Sequence, residues 1–411
     1  MHSASSRRDG AALDALNFFL ADVRDGLGPY LAIYLLAEHH WDAAQIGLVM
    51  TLAGLAALVA QTPAGALIDG TQRKRGTVII AALLVTASCL ALPWTAAFTW
   101  VAITQSLSAV AASVFAPAIA ALSLGIVGPR AFTRRTGRNE GFNHAGNAVA
   151  ALLAGALALW LGPTAVFYLM AFMALASVAA TWAIDPHTID HQQARGLGGT
   201  TPAASAPALG VLLGNRPLLT LGLCCALFHL ANAAMLPLVS QKLALHDLAL
   251  ATPLTSACII AAQLVMVPMA WLVGARADQW GRKPLLLAGF LILPLRGVLY
   301  TLSDDAAWLV AIQTLDGIGA GLFGALLPLM VKDLTQGTGH FNVALGAVTT
   351  VFGLGAALSA GLAGLMVHWG GYSAGFLTLA AVACVALLLL WVKMPETLPA
   401  TDTSPTLARA R

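Results

Sequence analysis

Asp22, Arg24 and Asp25 sit within one apolar run of a chain whose charged residues make up only 9% of its length. An ionisable side chain in hydrocarbon costs at least ~2.5–3.5 kcal/mol on insertion scales, so it normally faces a partner or a wet cavity. Asp22 and Asp25 are three residues apart and share a helical face. Paired carboxylates raise one another's proton affinity, and Arg24 lowers it. Gly26, Gly28 and Pro29 follow directly and loosen the helix, which can turn backbone carbonyls toward a cavity. The chemistry on offer is reversible protonation, with Asp22 and Asp25 as its candidates. The alternative is an internal Asp–Arg pair that holds the helix in register.

Other polar residues interrupt the apolar runs in patterns. Arg296 and Asp316 lie at similar depth in successive runs; pairing makes both structural, whereas a free Asp316 becomes a third proton site. Glu140, Asn143, His144 and Asn147 follow the i, i+3, i+4, i+7 spacing of one helical face. Asn143, His144 and Asn147 are read as substrate contacts, and Glu140 as a salt-bridge partner of Arg134, Arg135 and Arg138. His229 and Asn232 stand one turn apart, and Gln105 and Gln313 occupy matching places in two runs; these four, with Arg24, complete the candidate binding set. His187 and His191 have an i, i+4 spacing but no third ligand nearby in sequence, so no metal site is expected.

What positions these groups is a set of membrane helices. The chain has 411 residues, of which 59% are hydrophobic, and its apolar runs repeat at lengths of about 20 residues, enough to cross a bilayer. Turn signals divide them into twelve spans, near 12–36, 44–68, 76–96, 100–126, 139–161, 164–184, 217–239, 252–273, 284–303, 306–331, 341–367 and 372–392. Residues 185–216 read as a flexible polar linker that divides the chain six plus six. The five cysteines fall inside apolar runs and read as packing residues. Trp41, Trp94, Trp100, Trp160, Trp182, Trp369 and Trp391 near span ends suit an interfacial belt.

Eighteen of the 21 Lys and Arg residues fall in the loops of one side; Lys242 alone is on the other, and Arg24 and Arg296 lie inside spans. The positive-inside rule then makes both termini and the linker cytoplasmic. One turn is written twice: Gly65-Ala-Leu-Ile-Asp69-Gly-Thr-Gln-Arg73-Lys74 returns 209 residues later as Gly274-Ala-Arg-Ala-Asp278-Gln-Trp-Gly-Arg282-Lys283. Gln105-Ser-Leu-Ser parallels Gln313-Thr-Leu-Asp316, and Leu20-Ala-Asp22 parallels Leu230-Ala-Asn232. Two parallel repeats of six helices are the build of a secondary transporter.

With that turn, the chain resembles the major facilitator superfamily, whose signature is Gly-x-Leu-x-Asp-x-x-Gly-Arg-Lys. The first copy keeps Gly65, Leu67, Asp69, Arg73 and Lys74 but has Gln72 for glycine. The second keeps Gly274, Asp278, Gly281, Arg282 and Lys283 but has Arg276 for leucine. The resemblance implies an all-α membrane protein of twelve transmembrane helices in two pseudo-symmetric six-helix bundles. Those are residues 1–184 and 217–392, with a cytoplasmic tail over 393–411. It further implies that Asp69, Arg73, Lys74, Asp278, Arg282 and Lys283 gate the cytoplasmic side, with Asp69 facing a helix start near Gly339 and Asp278 one near Gly137. A carboxylate there meets the positive end of a helix for about 0.3–1 kcal/mol when exposed, a strength suited to a breakable latch. Span 4 lacks the arginine, and span 5 the glycine-proline-glycine, that drug antiporters of this family usually carry.

The expected function is alternating-access transport of a small organic solute across the inner membrane, most simply as proton-coupled efflux by a monomer. The alternatives are proton-coupled uptake of a polar or anionic metabolite, and a non-transporting membrane sensor or assembly partner. The absence of a phosphate-binding loop argues against an ATP-driven pump. No enzymatic activity, cofactor, metal or nucleic-acid partner is expected.

Overall fold

A computed structural model describes residues 2–25, 27–95, 97–195, 208–336 and 341–398. Among these residues there is no strand. The helices are α1 (His2–Asp25), α2 (Leu27–His39), α3 (Ala43–Gly70), α4 (Lys74–Ala91), α5 (Phe98–Ala112), α6 (Phe115–Leu161) and α7 (Ala165–Ala183). They continue with α8 (Ala208–Gly214), α9 (Arg216–Asn232), α10 (Met235–His246), α11 (Leu248–Trp280), α12 (Arg282–Leu299), α13 (Ala306–Leu334) and α14 (Phe341–Lys393).

Nine stretches of the described chain are long and apolar enough to cross a membrane. Three features reconcile that number with twelve spans. The longest stretch, within α14, is bent at Gly371, whose φ of 77° breaks the helical path and makes two arms. Arg282–Leu299 is set apart from the others by Arg282, Lys283 and Arg296, and the first span is divided between α1 and α2. Gly128, at φ 72°, likewise separates the fourth span from the fifth inside α6.

Caps fix where the helices start. Asp42 accepts from Gln45 N while Gln45 returns a bond to Asp42 N, a full capping box at the head of α3. Asp247 and Asp305 cap α11 and α13 with their side chains at the same end of the molecule. In the first half α1 packs on α6 and α7, α3 on α5, and α4 on α7; in the second, α9 packs on α14, α11 on α13, and α12 on α13 and α14. The cores are continuous and apolar, with Phe115, Phe290 and Phe376 fully enclosed. Cys89, Cys224, Cys225 and Cys258 are buried free thiols, while Cys384 is exposed. Trp94, Trp160, Trp182, Trp369 and Trp391 face outward at helix ends, but Trp41 is buried and stacks on Phe98, so packing accounts for it.

The linker is less loose than its composition implies. Residues 185–195 fold back on the end of the fourth span, where Asp190 N donates to Gly125 O at 3.0 Å and Ala194 packs beside Gly125. Residues 208–214 form α8, which lies against α14 and α9. The expectation of a flexible linker is corrected for both pieces; the residues between them lie outside the described chain.

Candidate functional site

The two halves meet at the end of the molecule opposite the basic turns. α3 runs from that end toward Arg73, and its first half lies against the second half's α14. A Cβ at Gly47 would fall 2.2 Å from Ala360 O, and one at Gly364 would fall 2.1 Å from Ala43 O. Only glycine permits such backbone approach. Thr51 Oγ1 accepts from Gly361 N at 2.9 Å, and the Tyr30 and Ser256 hydroxyls are bonded at 2.9 Å. Gly155 abuts Ser256 and Pro253 on the other flank. At mid-depth His144 Nδ1 donates to Gln263 Oε1 at 3.1 Å. None of the described bonds between halves lies at the basic end.

Just beyond this seal is a cavity of about 470 Å3 walled by the second, fourth, seventh and eleventh spans. Met50, Gly54, Ala57, Leu58, Ala109, Ala112, Gly353 and Ala357 make it small-sided and apolar, and Gln61 and Ser113 are its polar side chains. Among the described residues no charged one lines it. Two walls are broken helices: the fourth span breaks at Ser113–Val114 between α5 and α6, and the seventh at Ala233–Ala234 between α9 and α10.

The polar residues singled out by sequence are distributed unevenly around this centre. Arg296 pairs with Asp316 and is 2% exposed. The same guanidinium donates to Asn232 Oδ1 at 3.0 Å, Gln313 Nε2 donates to Asp316 Oδ2 at 3.1 Å, and Tyr300 OH donates to Gln313 Oε1. Asn232, Arg296, Asp316, Gln313 and Tyr300 therefore form one network inside the second half, and Asp316 is not free to act alone. Gln105, the counterpart of Gln313, is buried with its Nε2 unpaired. His229 stacks on Phe352 with ring centroids 4.2 Å apart and meets Phe323 edge-on, while Nδ1 donates to Cys225 O at 2.9 Å. Asn143 and Asn147 are half-buried on the face of α6 that carries His144. The side chains of Asp22, Arg24 and Asp25 lie outside the described residues.

Glu140 requires a correction. It is exposed, and the arginines expected to hold it go elsewhere: Arg135 and Arg138 both bind the buried carboxylate of Asp14, at 2.7 and 2.6 Å. Arg135 also donates to Asn139 Oδ1, which places the pair inside the α1–α6 packing. Asp14 is nearer because α1 crosses α6 there, a proximity that sequence distance hides.

Comparison with known proteins decides the family. The family model described as Major Facilitator Superfamily matches residues 13–276 and 221–410. The chain belongs to the major facilitator superfamily. An MFS-type transporter of Mycobacterium tuberculosis, Rv2456c, is 56% identical over 392 residues, covering 95% of this chain and 94% of the relative. The multidrug transporter MdfA of Yersinia pestis is 26% identical over 132 residues, 31% of each chain. In fold, the chain is similar to a variant of the nucleoside transporter NupG, with TM-score 0.81, 14% identity, and 94% of this chain and 100% of that one covered. A D-xylose-proton symporter is similar at TM-score 0.71 and 14% identity, over 95% of this chain and 98% of that one. The protein is thus an MFS-type membrane transporter and not an enzyme.

The superfamily's duplicated turn is built differently in its two copies. In the second, Gly281 has a φ of 88°, and a Cβ there would strike Glu396 Oε2 at 2.6 Å. Glu396, from the segment after the last span, accepts from Arg282 N at 2.9 Å and Lys283 N at 3.1 Å and so caps α12. Burial works against this carboxylate's charge, but N–H bonds from Leu398, Arg282, Lys283 and Thr397 outweigh it and hold its pKa below the usual carboxylate range. Arg282 also reaches Asp278 at 2.8 Å and Asp333 at 3.2 Å. Gln72 in the first copy has no positive φ and no tail carboxylate to accommodate, which explains the lost glycine. There Asp69 and Arg73 are exposed, and Lys74 is buried on Ile68 O and Thr71 O. Asp278 stays within its own half in this conformation, and Gly339 lies outside the described residues.

Both copies share a clamp that sequence reading passed over. Arg75 donates to Thr181 O and Trp182 O, and Lys283 donates to Trp391 O. In each half a basic residue at or directly after the turn caps the end of that half's sixth span, Lys283 in the second and Arg75, one place beyond the equivalent Lys74, in the first. Trp182 and Trp391 are 209 residues apart, the same offset as the turn, which was the available signal.

Proposed function

We propose that the protein exports a small, largely apolar organic molecule from the cytoplasm in exchange for protons. The observation that carries this reading is the alanine- and glycine-walled cavity between the halves, uncharged among the described residues and sealed by close backbone contact on one side. By the positive-inside rule the unsealed basic side is cytoplasmic, so in this conformation the cavity is reached from the cell interior, as loading for export requires. A cavity with this lining suits an apolar body better than an anionic metabolite, which would need a cation in contact. The partial similarity to a multidrug transporter points the same way.

Proton exchange is assigned to Asp22 and Asp25. Asp316 has its counter-charge in Arg296, and Asp14 has Arg135 and Arg138. The halves are taken as residues 1–184 and 217–392, rocking about the cavity. Asp69, exposed and outside any described ion pair, is the cross-half latch of the alternate state; Arg73 and Lys74 shape its turn. His144, bonded to Gln263 across the centre, and Asn143 and Asn147 beside it contact cargo on the other flank.

The test is flux in proteoliposomes carrying an imposed pH gradient, with a fluorescent lipophilic dye as reporter. Export by exchange moves dye and protons in opposite directions, and Asp22→Asn and Asp25→Asn uncouple them. Co-directional movement, or full coupling in both variants, contradicts the reading.

A further inference from the structure

Resting on the reading of this cavity as the cargo site, we infer that it selects molecules bearing N–H or O–H donors, through backbone carbonyls that two prolines leave unpaired. Pro117 is the third residue of α6 and Pro237 the third of α10. Proline has no N–H, so the carbonyl four residues earlier loses its helical donor. Those carbonyls belong to Ser113 and Ala233, and both residues line the cavity.

The neighbouring bonds show the gap. Ala118 N donates to Val114 O at 3.1 Å and Leu238 N to Ala234 O at 3.0 Å. Among the described residues no donor reaches Ser113 O or Ala233 O, whose own turns are otherwise bonded: Ser113 N goes to Ala109 O and Ala233 N to His229 O. The same five-residue device therefore stands in a first-half helix and a second-half helix, facing one space. A carbonyl away from water must find a donor. Here the donor is water in the empty cavity and cargo in the filled one.

One further polar group of the lining and one a turn away also accept. Ser113 Oγ spends its hydrogen on Val110 O at 2.7 Å. His229, one turn from Ala233, must carry its hydrogen on Nδ1, because its partner Cys225 O can only accept; Nε2 is left with a lone pair. Gln61 supplies the cavity's side-chain N–H donors. An apolar body with an amine or hydroxyl hydrogen satisfies this set; the same body with that hydrogen replaced by methyl leaves the carbonyls unpaired and displaces their water.

The test uses two cations with one ring system, 9-aminoacridine with N–H donors and 10-methylacridinium without, titrated by fluorescence polarisation against protein in lipid nanodiscs. The wild type binds 9-aminoacridine more tightly, by roughly 2- to 10-fold for each carbonyl engaged. Pro117→Ala and Pro237→Ala return an N–H to Ser113 O and Ala233 O. Each should weaken 9-aminoacridine by that factor and leave 10-methylacridinium unchanged. Equal affinities in the wild type, or equal losses of both probes in the variants, overturn the donor rule while leaving an apolar cargo site intact. No binding of either cation overturns both. The wild-type comparison stands even if a variant fails to fold.

Discussion

Neutralising Asp316 should destabilise the second half far more than removing its whole ion pair. Arg296 is 2% exposed, its Nε has no hydrogen-bond partner, and its described contacts are Asp316, Asn232 Oδ1 at 3.0 Å and the Tyr300 ring, 5.8 Å from the guanidinium carbon. In Asp316→Asn the amide oxygen can still accept, but the guanidinium charge is left uncompensated in a low-dielectric interior. Breaking a buried pair from one side costs about 3–5 kcal/mol, whereas replacing both partners by apolar residues of similar size is often neutral. The expected order is therefore wild type, then Arg296→Met/Asp316→Leu, which leaves Asn232 Oδ1 and Gln313 Nε2 without these partners, and last Asp316→Asn, below wild type by about 3–5 kcal/mol. Reversible unfolding in mixed micelles, titrated with a denaturing detergent, measures all three. A harmless Asp316→Asn, or a double variant as unstable as the single, would refute the view of this pair as a structural unit.

Other outcomes follow from the contacts at each end. Glu396→Gln keeps the shape of the α12 cap but loses its charge, a cost of about 0.3–1 kcal/mol. Because the folded Glu396 pKa is depressed, its stabilisation is present above the unfolded carboxylate value and fades as pH falls through the lower folded value. Melting curves of wild type and Glu396→Gln should therefore differ at neutral pH and converge in acid; a gap that widens in acid contradicts the assignment. Gly47→Val puts side-chain atoms where Ala360 O lies and should hold the sealed end open. A Ser113→Cys reporter should then be labelled faster by a membrane-impermeant thiol reagent from the extracellular side, and unchanged labelling speaks against the seal.

Much of this architecture could be read from the residues because membranes leave few solutions. The 209-residue repeat and the one-sided arginines pointed to two parallel halves and to a single orientation of the loops. Pairing of Arg296 with Asp316 was one of two readings the residues offered, since hydrocarbon tolerates neither charge alone, and the structure has the pair. The cavity was illegible because alanine and glycine serve equally for helix packing and for a cargo wall. Gln61, Ser113 and Ala233 carry no charge to mark them, and the clue was a proline four positions beyond each of the last two. Glu140 was misread for a different reason: Asp14 lies 121 residues from Arg135, and only the α1–α6 crossing brings them together. The clamp at Trp182 and Trp391 was visible in the repeat, yet a tryptophan at a helix end is explained so readily by the interface that its offset went uncounted.

That the halves must part at the sealed end for every cycle of transport can be tested with one cross-link. A Cβ at Gly361 would stand 3.5 Å from Thr51 Cβ, within the range of a disulfide. Thr51→Cys/Gly361→Cys, with the exposed Cys384 replaced by serine, should oxidise readily in proteoliposomes. Flux should stop on oxidation and return on reduction. Undiminished flux through fully cross-linked protein would contradict alternating access by this pair of halves.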